Sequence, residues 1–198
     1  MKIIVFIFIF MLCACDYTVQ GTTNSPLPHG LPDCQVEKQK ITDECYENRI
    51  SFNENYRARW KKGSVKRDSD KTVPSSVVWL TIAGCLMETD PSDYESYYSY
   101  ISSKLNDKNE YVAASAVTAM RAARGEQSID RIIEMIADKR GVVSGDAVLA
   151  IDYLMKSAMY DSSRKQDYIY AANQMKQVCT QHEARNLERT CRENGLIK

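Results

Sequence analysis

Apolar residues recur at the spacing of an amphipathic α-helix through much of this 198-residue chain. Positions i, i+4, i+7 and i+8 lie on one helical face, because an α-helix makes one turn in about 3.6 residues. Three segments share this first stripe, which comprises Val78, Ile82, Cys85 and Leu86, then Val112, Ala116, Ala119 and Met120, then Val143, Ala147, Ala150 and Ile151. Alternating runs typical of strands are absent from the sequence, so the pattern predicts an all-α fold.

A second stripe, with residues at i, i+3, i+4 and i+7, follows each of the first three. It comprises Tyr94, Tyr97, Tyr98 and Ile101, then Ile129, Ile132, Ile133 and Ile136, then Tyr168, Ala171, Ala172 and Met175. The first stripes begin 34 and 31 residues apart, and the second stripes begin 35 and 39 residues apart. Periods of this length are typical of stacked helical hairpins, so we expect three consecutive hairpins between Pro74 and Gln181.

This pattern resembles short HEAT-type repeats. The segment from Asp107 to Met120 carries the resemblance best, with acidic residues before Val112 and alanine-rich spacing after it. The resemblance implies a short right-handed α-solenoid over residues 74–198, whose concave face would recognise another protein. An irregular helical bundle without a true repeat is the alternative fold.

The amino terminus has the pattern of an export signal. Lys2 precedes an unbroken apolar run from Ile3 to Leu12, which as a helix would reach about 15 Å, half the thickness of a bilayer core. The run therefore predicts a signal peptide over residues 1–14 rather than a membrane span. The following Leu12-Cys13-Ala14-Cys15 resembles the lipobox of bacterial prolipoproteins, although Cys13, which is similarly small, stands where Ala, Ser or Thr is usual.

The lipobox resemblance implies that Cys15 carries a diacylglyceryl group and an N-acyl chain such as palmitate. Two or more acyl chains would anchor the chain stably in a membrane. In enteric bacteria Asp16 would favour the inner membrane, and the folded part would face the periplasm. The alternative is a plain secretory signal, with Cys15 as an ordinary disulfide partner.

The composition between the lipobox and the repeats predicts three further segments. Residues 15–33 are rich in Gly, Pro, Thr and Ser and predict a flexible tether. Residues 34–62 predict a separate charged amphipathic helix, and residues 63–73 predict a polar linker.

Cysteine usage fits an oxidising compartment, where disulfides persist. The seven cysteines are Cys13, Cys15, Cys34, Cys45, Cys85, Cys179 and Cys191. Two local disulfides are predicted, Cys34–Cys45 and Cys179–Cys191, with Cys85 as a small core residue. No CxxC spacing occurs and no histidine lies beside either pair, so we expect no metal site.

Charge and motifs argue against nucleic-acid binding and catalysis. The chain has 26 basic and 26 acidic side chains, so bulk charge would not attract nucleic acid. No phosphate-binding loop or hydrolase motif is found, and the two histidines, His29 and His182, lie in polar segments. We therefore expect no enzymatic activity and no cofactor.

One basic segment with interleaved aromatic residues is a candidate docking patch for an acidic protein or anionic lipid headgroups. The predicted docking patch comprises Tyr56, Arg57, Arg59, Trp60, Lys61 and Lys62, together with Tyr100, which is the tyrosine left exposed by the second stripe. The alternative is a solvated linker.

These features predict an exported, lipid-anchored module that binds another protein. One attractive role is an immunity protein that neutralises a toxin delivered into the periplasm by a rival bacterium. The alternative is a structural or adaptor lipoprotein of an envelope complex.

Overall fold

The computed structural model of the chain describes residues 31–69, 72–181, 184 and 186–198. Within these residues the chain is all-helical with no strand, which confirms the predicted fold class. The α-helices are α1 (Leu31–Glu47), α2 (Arg49–Lys62), α3 (Ser64–Ser69), α4 (Val73–Thr89), α5 (Tyr94–Lys104), α6 (Glu110–Met120), α7 (Glu126–Ile136), α8 (Gly141–Tyr160), α9 (Lys165–Gln181) and α10 (Leu187–Glu193). The predicted signal peptide and Cys15 lie outside the described residues.

The three predicted hairpins are present and lie side by side in chain order. Helix α4 packs on α5, α6 on α7, and α8 on α9. The first helices of the hairpins form a continuous layer, because α4 packs on α6 and α6 packs on α8. The residues of the first stripes are buried, among them Ile82, Val112 and Ala147.

The residues before α4 form a fourth hairpin rather than the predicted single helix over 34–62. The chain breaks between α1 and α2 at Asn48, whose side chain accepts a 3.1 Å hydrogen bond from the Ser51 amide. Helix α1 packs on α4 as α4 packs on α6, so this hairpin extends the stack by one unit. The predicted tether and linker also differ, because α1 begins at Leu31 and α3 occupies Ser64–Ser69.

Small residues let the first helices approach closely. A Cβ atom placed on Gly84 of α4 would lie 3.2 Å from Cα of Ala119 on α6. Such a contact is closer than ordinary van der Waals packing, so glycine here sets the distance between two neighbouring hairpins.

An aspartate lies at four of the tight junctions between helices after α4, although the junction between α6 and α7 has none. Its side-chain oxygen accepts a hydrogen bond from the backbone amide two residues later, which is an Asx turn. The bonded pairs are Asp90 with Ser92 at 3.1 Å, Asp107 with Asn109 at 2.9 Å, Asp138 with Arg140 at 2.8 Å, and Asp161 with Ser163 at 2.9 Å. The repeat is therefore visible in its turns as well as in its helices.

The structure forms one of the two predicted disulfides. Cys179 on α9 is bonded to Cys191 on α10, with a Cα–Cα distance of 6.1 Å. The predicted Cys34–Cys45 bond is wrong, because both residues lie on α1. Eleven residues of helix separate them by about 16 Å, far beyond the Cα distance that a disulfide can span.

Candidate binding face of the first helices

Four side chains converge on one side of the layer that α1, α4, α6 and α8 form. Each belongs to one of these first helices or to the residue that ends it. The Tyr46 hydroxyl of α1 donates a 3.4 Å hydrogen bond to Oε2 of Glu88 on α4. The guanidinium of Arg121, at the end of α6, lies 4.5 Å from the ring centre of Tyr153 on α8. Together with Lys38, Thr118 and Asp146, described below, these four residues form what we call the first-helix face.

The position of these residues shows how the first helices are oriented. Tyr46, Glu88 and Arg121 all lie at or next to the carboxyl-terminal ends of their helices. Burial and, next, the negative charge of Glu88 raise the pKa of Tyr46 well above its usual value, whereas the charge of Arg121 opposes this rise. Because Tyr46 bonds to Glu88 and Gly84 of α4 lies against Ala119 of α6, the carboxyl-terminal parts of α1, α4 and α6 lie together, and the three helices run in the same direction.

Asp146 is a buried carboxyl group in the middle of this face. It lies on α8 with 4% of its surface exposed, and Thr118 Oγ1 of α6 donates a 3.4 Å hydrogen bond to its Oδ2. Burial raises its pKa from 3.8 to about 7, although the charges of Lys38 and Arg121 and the bond from Thr118 favour ionisation. The carboxyl group therefore gains or loses its proton near neutral pH.

Side chains of the two outer helices of this face, α1 and α8, act on groups of the other helix. Helix α1 packs on α4, and α8 packs on α6. Nevertheless, Lys38 of α1 acts on Asp146 of α8, and Tyr153 of α8 acts on Tyr46 of α1.

The aromatic members of the predicted docking patch are not surface residues. Tyr56 and Trp60 are 8% and 2% exposed, and the Trp60 indole donates a 3.1 Å hydrogen bond to Ser96. Tyr100 is half-buried with its ring 5.5 Å from that of Trp60, so its predicted exposure is wrong. The physical reason is that α2 belongs to a hairpin, and its stripe of Phe52, Tyr56 and Trp60 faces the core.

The basic members of the patch remain accessible, but two of them have partners. Arg57 Nε donates a 2.6 Å hydrogen bond to buried Asp90, and Arg59 lies 3.3 Å from Glu37. Lys61 and Lys62 are exposed at the end of α2. The patch is thus a small group of surface cations without the aromatic residues that would have made it a hot spot.

Sequence reasoning missed the residues of the first-helix face. The burial of Asp146 could have been predicted from the sequence, because it lies between Val143 and Ala147 on the buried face of α8. The convergence of Tyr46, Glu88, Arg121 and Tyr153 had no local signal, since hairpin stacking brings these residues together.

The described residues carry no sign of a metal site or of a membrane span. No group of three or more His, Cys, Asp or Glu side chains in residues 31–69, 72–181, 184 and 186–198 is arranged to hold an ion. Among the described helices, none combines the length and apolarity needed to cross a bilayer. The charged and aromatic side chains of the first-helix face are suited to recognising complementary charged groups.

Comparison with known proteins gives no relative from which a function could be transferred. No protein-family model, no curated protein and no solved structure matches the chain.

Proposed function

We propose that the chain is a protein-binding module that recognises its partner through the first-helix face. The observation that carries the proposal is the convergence of Tyr46, Glu88, Arg121 and Tyr153, from the first helices of the four hairpins or the residue that ends one of them, on one side of the layer. Stacked helical hairpins generally use such surfaces for recognition. Tyrosine and arginine are also the residue types that contribute most to protein interfaces.

The charged groups of this face indicate which chemical groups a partner would present. Arg121 would donate hydrogen bonds to a carboxylate of the partner, whereas Glu88 would accept them from a basic side chain. Tyr46 and Tyr153 offer apolar rings with a polar tip, which bury surface at low cost in conformational entropy. The partner would therefore be a protein that presents both signs of charge close together.

We further propose that the module is exported and held at the membrane of a bacterial cell envelope, facing the periplasm. The lipobox-like sequence around Cys15 supports an acyl anchor, and the Cys179–Cys191 disulfide fits an oxidising compartment. Replacing Cys15 with alanine should move the protein from the membrane fraction to the soluble fraction. Unchanged membrane retention would contradict the anchor.

The specific role that we propose is that of an immunity protein against a periplasmic toxin. Cells that express the full chain should survive a periplasmic effector encoded by a neighbouring gene. An Arg121→Glu variant should lose protection, because it places a negative charge where the partner's carboxylate would bind. Arg131→Glu is the matched control, since Arg131 is a half-exposed arginine on α7, outside the first-helix face.

Different outcomes of these experiments test the immunity role and the first-helix face as the binding surface. Absence of a toxin neighbour, or absence of protection by the wild-type chain, would refute the immunity role. Protection by Arg121→Glu equal to that of the wild type would refute the first-helix face as the binding surface. Co-purification with several envelope components instead of one toxin would favour the alternative role, an adaptor lipoprotein.

A further inference from the structure

Two buried thiols meet at the packing interface of α1 and α4. Cys45 of α1 is fully buried, and Cys85 of α4 is 8% exposed. Their side chains are hydrogen-bond partners, although they are 40 residues apart in the sequence. Neither residue has a part in the proposed partner recognition.

Contacts on either side of the two thiols fix the register of α1 and α2 against α4. The residue after Cys45 is Tyr46, whose hydroxyl donates to Glu88, one turn beyond Cys85. At the start of the next helix, Asn53 Nδ2 donates a 3.0 Å hydrogen bond to the Thr89 carbonyl, and Thr89 Oγ1 donates a 2.7 Å bond to Asn53 Oδ1. The thiols therefore face each other in a defined arrangement.

We propose that Cys45 and Cys85 form a disulfide that fastens the first hairpin to the rest of the stack. Each thiol loses a hydrogen as the sulfur–sulfur bond forms. The two electrons and two protons pass to a disulfide oxidant such as glutathione disulfide, which is reduced to two thiols. Cys34 is not the partner of Cys45, because it lies about 16 Å away along the same helix.

The bond must form while α1 docks on α4 during folding. The hydrogen bond with Cys45 and burial both raise the pKa of the Cys85 thiol. Because the thiolate is the species that attacks a disulfide, the buried thiol in the folded chain reacts slowly. Refolding in the presence of an oxidant is therefore the appropriate test.

The full chain would be unfolded under reducing conditions, refolded in a buffer of oxidised and reduced glutathione, alkylated and digested with trypsin without reduction. Trypsin places Cys45 in residues 41–49 and Cys85 in residues 72–104, apart from residues 3–38, which carry Cys34 together with Cys13 and Cys15, so fragmentation of any product linked to 3–38 identifies the cysteine involved. We expect a linked product of 41–49 and 72–104 that disappears on reduction, with Cys34 alkylated. A Cys34→Ser variant should give the same linked product.

The disulfide already described is the internal control. Residues 177–185 and 190–192 carry Cys179 and Cys191 and should also be linked. Linkage of this control pair with alkylation of both Cys45 and Cys85 would overturn the proposal. A bond from Cys34 to either residue would also overturn it. The test does not depend on the partner or on the location of the protein, so it can fail while the proposed function stands.

Discussion

Replacing Asp146 with asparagine should stabilise the protein, and the gain should depend on pH. In the folded chain, burial raises the pKa of Asp146 from 3.8 to about 7, against the opposing charges of Lys38 and Arg121. Between these two values the folded chain binds a proton that the unfolded chain does not. The contribution of Asp146 to the free energy of unfolding is therefore most favourable at low pH and falls as the pH rises toward 7.

The magnitude follows from the size of the shift. One pKa unit corresponds to about 1.4 kcal/mol, so a rise of about three units costs about 4 kcal/mol above pH 7. Asparagine has nearly the same shape, is uncharged at every pH and can still accept the bond from Thr118. The variant should gain about 4 kcal/mol over the wild type at pH 8 and about 2 kcal/mol at pH 5.

Urea unfolding of both proteins at pH 5 and pH 8 measures these differences. Other carboxyl groups, such as that of Asp90, also change stability with pH, but they are common to both proteins and cancel in the comparison. Asp43→Asn is the matched control, because Asp43 is exposed on α1, and it should leave the pH dependence unchanged. An Asp146→Asn advantage that is the same at both pH values would refute the reasoning.

Three further substitutions test the packing of the stack. Replacing Cys179 and Cys191 with serine should cost up to about 3 kcal/mol, since the loop between them is short; calorimetry with and without reductant measures the loss. Gly84→Leu should cost about 1–3 kcal/mol or more in urea unfolding, because a side chain there would push α4 away from α6. Asp90→Asn should cost about 1–3 kcal/mol at pH 7. Although burial opposes it, the bond from Arg57 lowers the pKa of Asp90 below its usual value, so this loss should shrink as acid titrates the wild-type carboxylate in pH-dependent unfolding.

The sequence predicted the three later hairpins because their burial follows from local periodicity. Val112, Ala116 and Met120 lie on one face of a helix whatever that helix packs against, and all three are buried. Their order in the stack was predictable as well, since hairpins of similar length and short connections leave few other ways to cover the stripes.

The first hairpin was harder to predict. Neither Gly nor Pro marks the break at Asn48, and the stripe of Phe52, Tyr56 and Trp60 is interrupted by arginines at 57 and 59. Aromatic residues among cations are typical both of a docking surface and of a buried stripe with a charged outer side. Only the packing of α2 on α4 distinguishes the two interpretations.

The candidate face could not be predicted, because its members are far apart in the sequence. Tyr46 and Tyr153 are more than a hundred residues apart, and Tyr153 acts on Tyr46 only because the hairpins stack. Such a site depends on how closely successive hairpins approach each other, as α4 and α6 do at Gly84.

The covalent link between α9 and α10 makes the two ends of the stack unequal. A linear array loses its outermost unit first, since that unit has a neighbour on one side only. With α9 and α10 joined by the Cys179–Cys191 bond, a chain that lacks the Cys45–Cys85 bond, such as a Cys45→Ser variant, would unravel from α1 and α2, and proteases would cut there first. A partner that binds both α1 and α8 would stabilise α1 and α2 in the folded state. Its binding would therefore slow proteolysis of the whole first hairpin, including parts that the partner does not contact.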